Sequence, residues 1–175
     1  MKSVKQIVFE ATGMQFDVWH ESLEMMLERR SERVESWDKA WGVGDVILLD
    51  NPNPNGFDIE GIWMVMIKKN PNNASWYCTL ITDLAMEMQS SIDFLINQNE
   101  EDCMDEQIVY PAVGAWIDEE ILKTGIRTAR IPQAKCVEIW NVVSKLAFGL
   151  EVKESALYSS FLDQHQIIVD AIVNQ

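Results

Sequence analysis

Between Phe16 and Trp41 the apolar residues Phe16, Trp19, Leu23, Met26, Leu27, Val34, Trp37 and Trp41 recur at steps of three and four. That period predicts one long N-terminal helix, capped near Asp17 and stopped by Gly42 and Gly44. Glu21, Glu24, Glu28, Glu32 and Glu35 form its opposite, solvated face, relieved by Arg29, Arg33 and Lys39. A short strand over Val4–Phe9 is expected ahead of it, broken by Thr12 and Gly13.

From Asp45 the pattern changes to short apolar runs separated by turn residues. Asp45–Leu49, Ile62–Lys68 and Trp76–Ile81 read as strands, divided by the Asn-Pro-Asn-Pro-Asn-Gly loop at 51–56 and the turn Asn70–Asn73. Connections this short favour a central antiparallel meander. Leu84, Met88, Ile92 and Leu95 then predict a helix from Thr82 or Asp83 to about Asn97. Gln98–Glu106 is too charged to bury. Ile108–Ile117 reads as a strand confined to an edge by Pro111.

Asp118–Lys123 forms one helical turn in this reading, closed by Gly125, and Ile126–Ile131 another strand. Pro132 opens a helix over Gln133–Phe148, apolar enough to be expected at the centre of the fold. A last helix covers Lys153–Val173, with Leu157, Phe161, Ile168 and Ile172 on one face. The whole is a single α+β domain, 1–175, with a long N-terminal helix, a central antiparallel β-meander and C-terminal helices.

Charge sharpens this picture. The net charge is −14, and the stretch Asn70–Leu122 carries most of it. It holds Asp83, Glu87, Asp93, Glu100, Glu101, Asp102, Asp105, Glu106, Asp118, Glu119 and Glu120, without one Lys or Arg. Acids without local ion pairs give the fold little, but their field attracts and steers a basic protein. The same charge repels nucleic-acid phosphate and anionic membrane surfaces. The longest apolar run is about seven residues, far short of the roughly 20 that span a bilayer. Cys78, Cys103 and Cys136 are odd in number and lack a paired spacing, as expected of a cytoplasmic chain.

Candidate chemistry is thin. His20 and His165 are the only histidines, and no HExxH, CxxC, nucleophile elbow or glycine-rich phosphate loop occurs. No metal or cofactor is therefore expected. Cys103 sits among carboxylates that suppress its thiolate. Cys136 reads either as a small buried residue or as a thiol favoured by a helix first turn, Lys135 and Arg130. The spacing of Asn51, Asn53, Asn55 and Gly56 looks like a calcium loop, but Ile62 stands where a bidentate Glu is needed.

Gly44–Asp50, a loop, and Gly61–Ile67 resemble the opening hairpin of SH3-like barrels, as in the MazF-type ribonuclease toxins. Ile62 occupies the position where that pattern carries a functional Arg, so no activity follows from the resemblance.

The reading is an acidic, non-catalytic protein that binds a basic protein partner through the carboxylates of Asp83–Glu120. Inhibitor, immunity, anti-defence and adaptor roles fit, as does imitation of nucleic-acid phosphates by rows of carboxylates. Two alternatives make different demands. An enzyme with a dispersed site requires converging carboxylates, or Cys136 facing His165. A subunit of a larger assembly requires exposed apolar surface.

Overall fold

The computed structural model describes Trp37 and residues 40–52, 61–82, 89–96, 107–152 and 155–175. The described residues form six strands and three helices. These are β1 (Asp45–Asp50), β2 (Gly61–Lys69), β3 (Ser75–Thr82), β4 (Phe94–Ile96) and β5 (Gln107–Asp118), then α1 (Glu119–Leu122), β6 (Ile126–Arg130), α2 (Gln133–Ala147) and α3 (Ala156–Val173). The strands form one sheet in the order β4-β5-β3-β2-β1-β6, and every neighbouring pair is antiparallel. The meander β1–β2–β3 is present as expected. The helix read over 17–41 and the strand over 4–9 fall outside the described residues, apart from Trp37, which is helical, and Ala40 and Trp41, which are not.

Two helices cover opposite faces of the sheet. Tyr77 of β3 packs edge-on against Trp140 of α2, with ring centres 5.4 Å apart. Tyr110 of β5 lies opposite Leu80 of β3 and packs on Phe161 of α3 at 5.0 Å. Side chains alternate along a strand, so Tyr77 and Leu80 point to opposite faces. This explains the unbroken apolar run in β2. Gly61–Ile67 is buried throughout, because an interior strand covered on both sides has no solvated face.

Three expectations are corrected. Residues 89–93 are not helical, and Phe94–Ile96 is strand β4, paired with Val109, Ile108 and Gln107. Asp93 accepts the Ser90 N–H at 2.7 Å, a local turn that competes with a helix here. Pro111 does not confine β5 to an edge along its whole length: the strand is interior at Gln107–Val109 and outermost beyond. Thr79 pairs with Gly114 and the next residue, Leu80, with Tyr110, so Pro111, Ala112 and Val113 form a bulge that needs no N–H from proline. Finally, α2 is not central. It buries only Cys136, Ile139 and Val143, while α3 buries eight residues.

The entry to β1 is fixed by a buried carboxylate. Asp45 accepts the Gly42 N–H at 2.7 Å and Arg130 Nε at 2.7 Å, and Arg127 Nε lies 3.2 Å away. Gly44, with φ +95°, exchanges backbone bonds with Met66 and Ile131, and a Cβ there would meet Ile131 O at 2.3 Å. Only glycine fits both the dihedral and the approach.

Candidate functional site

The pairing register sorts the acidic segments by end of the sheet. Asp50 lies opposite Gly61. Trp63 lies opposite Ile81, one pair along from where β3 ends. Thr82 lies opposite Ile108, and Ile96 opposite Gln107. Asp50, Thr82 and Ile96, from which the chain runs on to residues 51–60, 83–93 and 97–106, therefore all lie at one end of the sheet. From Asp50 to Glu60 and from Asp83 to Glu106 the sequence carries eleven carboxylates and no Lys or Arg. The other end holds Lys68, Lys69, Arg127 and Arg130 beside the paired acids Asp45 and Glu119.

The predicted binding residues divide accordingly. Asp83, Glu87, Glu100, Glu101, Asp102, Asp105 and Glu106 lie outside the described residues. Asp93 belongs to the first end and is tied into the fold: its Oδ2 accepts the Tyr158 hydroxyl at 2.6 Å. Glu119, at the other end, accepts Trp76 Nε1 at 3.0 Å and pairs with Lys69 and Lys123. Asp118 and Glu120 flank it, are exposed, and take part in no ion pair with the described residues. Asp93 and Asp118–Glu120 are thus not brought together.

Between β3, β5 and α3 lies a set of buried polar groups that the sequence reading missed. Tyr110 is fully buried, and desolvation, with Asp93 and Tyr158 nearby, raises its hydroxyl pKa. Its hydroxyl, Thr82 Oγ1 and Gln164 Oε1 have no hydrogen-bond partner among the described residues. Ser90 Oγ is 3.1 Å from the Tyr158 hydroxyl. His165 Nδ1 contacts Phe161 O at 2.9 Å, and burial pushes its pKa down to about 4. It is a buried, hydrogen-bonded core histidine. Alternation of polar and apolar residues on α3 signals a buried stripe, but only the fold shows what polar groups share it.

The two described thiols, Cys78 and Cys136, are both buried. Cys136 is buried, and desolvation, with Asp45 adding to it, pushes its pKa up to about 12 despite a backbone hydrogen bond. Burial thus outweighs the helix first turn and the neighbouring cations. Cys78, fully buried in β3, is pushed up likewise. Cys136 sits on α2 and His165 on α3, with the sheet between them. Among the described residues no group of three His, Cys, Asp or Glu is placed to hold a metal ion. Ile62, at the position that matters in the barrel resemblance, is buried within β2.

On the α2 side, Tyr77, Trp116 and Trp140 stack edge-on in a mutual triad at 5.4–6.0 Å. Trp116 is 39% exposed, Val137 58% and Phe148 92%. The chain matches no protein-family model and no curated protein. Among the described residues no helix is long and apolar enough to cross a membrane.

Proposed function

We propose that this chain is a non-catalytic acidic interaction protein, of inhibitor, immunity, anti-defence or adaptor type, that docks its acidic end on a basic protein. The observation that supports this is that Asp50, Thr82 and Ile96 all lie at one end of the sheet, and the stretches that follow them in sequence, 51–60, 83–93 and 97–106, carry ten carboxylates and no Lys or Arg. Like charges gathered at one end create a field that neither end of a mixed-charge surface produces, and such a field steers a cationic partner. The experiment is titration of a basic partner, recovered from the source cell, at rising salt. Replacing Glu100, Glu101, Asp102, Asp105 and Glu106 by their amides weakens binding at least tenfold and flattens its salt dependence. The same change at Asp118 and Glu120 has a much smaller effect on this contact. Unchanged affinity in the five-residue variant overturns the reading.

A second reading, as a subunit of a larger assembly, is favoured by the exposed apolar residues Val137 and Phe148 beside Trp140 and Trp116. Sedimentation of the chain at rising concentration separates the two, since that surface associates where the acidic end repels its own copies.

A further inference from the structure

β5 has two different outer flanks. Gln107–Val109 is covered by β4, but among the described residues no strand lies beside Gly114–Asp118. The direction of its backbone groups follows from bonds it makes. Glu119 N–H donates inward to Ala74 O at 2.9 Å. Backbone groups alternate sides along a strand, so Ile117 and Ala115 also face β3, and Gly114, Trp116 and Asp118 face outward.

Gly114 bears this out. Its N–H donates to Gln166 Oε1 at 3.1 Å, and its C=O accepts Gln166 Nε2 at 3.3 Å. The Gln166 amide thus replaces one residue of a neighbouring strand. Trp116 has no equivalent: its outward N–H and C=O meet no hydrogen-bonding group of the described chain, and neither does the Asp118 N–H. The Asp118 carboxylate caps nothing in α1. While Glu119 is paired with Lys69 and Lys123, Asp118 and Glu120 stand exposed and unneutralised beside the open edge.

We propose that this edge is a docking site for an extended basic segment of a partner protein, added antiparallel as a short strand beside β5. Trp116 and Asp118 supply three main-chain groups, the means by which an added strand gains affinity. Asp118 and Glu120 select a Lys or Arg in the segment, and the Trp116 ring, backed by Tyr77 and Trp140, seats its apolar neighbour. The Gln166–Gly114 contact sets where the added strand must end. This site lies at the opposite end of the sheet from Thr82, Ile96 and Gln107 and does not depend on the carboxylates that follow them in sequence.

The test uses the full chain, isotope-labelled for amide exchange, and a capped octapeptide of alternating Lys and Val. The peptide slows exchange of the Trp116 and Asp118 amides at least tenfold, and N-methylation of its alternate residues abolishes the effect. Asp118 has φ −67° and ψ 145°, so Asp118→Pro removes one outward N–H without strain or loss of a β3 bond. It leaves the melting temperature unchanged and weakens the peptide at least tenfold. Gln166→Ala extends protection to the Gly114 amide. Unchanged exchange at Trp116 with saturating peptide, or equal binding of the N-methylated peptide, overturns the proposal. So does loss of the protection in the variant neutralised at Glu100–Glu106, which would place the peptide at the acidic end instead. Protection that survives in that variant upholds the edge whatever becomes of the acidic end.

Discussion

The two long helices lie on opposite faces of one sheet and are used in opposite ways. α3 buries Tyr158, Phe161, Leu162, Gln164, His165, Ile168, Val169 and Ile172, three of which carry polar groups. α2 buries three residues and leaves Val137 and the turn residue Phe148 in solvent. The two helices carry similar shares of apolar residues, yet the one with polar groups in its buried stripe is sealed and the other is open. Apolar content alone therefore does not rank helices by burial; the surface opposite them does. β5 and β3 offer α3 a long apolar floor with Tyr110 at its centre, whereas α2 meets an aromatic triad that is itself partly exposed.

The largest expected effect tests that contrast directly. Phe161→Ala removes a fully buried ring between Tyr110 and His165 and destabilises by about 3–5 kcal/mol in urea unfolding. Equal costs for Phe161→Ala and Phe148→Ala would break the comparison.

Next comes pH. The folded chain holds His165 at a pKa of about 4 against an ordinary 6.5. The unfolded chain takes up the proton first as pH falls, so this contribution is complete above pH 6.5 and is lost progressively toward pH 4. The loss amounts to about 3 kcal/mol, and His165→Gln flattens that part of the stability profile. Smaller again is Tyr158→Phe, which takes the 2.6 Å donor from Asp93 and lowers stability by about 1–2 kcal/mol. Smallest is Phe148→Ser, within about 0.5 kcal/mol of the parent; its signature is weaker self-association in sedimentation rather than a changed melting temperature.

Much of the architecture was legible because it is local. β1, β2, β3, β6, α1 and α2 fall within a residue or two of their predicted limits, and α3 starts three residues late, because period, turn residues and Gly42, Gly44 and Pro132 act over a few positions. β4 was not legible. Its three residues are held by partners in β5, and the spacing of Met88, Ile92 and Leu95 imitates a helix. Pro111 was read correctly as excluding ladder bonds, but a bulge meets that demand as well as an edge does. Of the predicted binding residues, Glu119 and Asp93 are engaged by Trp76 and Tyr158, 43 and 65 positions away, distances over which a charge count is blind. The outward amides of β5 have no sequence signature, since every non-proline residue carries the same backbone groups.

The bulge at Pro111–Val113 also has a mechanical meaning. With three residues free of β3, β5 amounts to two short strands laid end to end. The first, Gln107–Tyr110, moves with β4, Tyr158 and Phe161; the second, Gly114–Asp118, moves with Tyr77 and Trp140. β3 is the single continuous rail between them, and Gln166 is a tether from α3 to the second piece. The bulge thus interrupts the ladder between the two pieces, and β3 and the Gln166 contact join them across it.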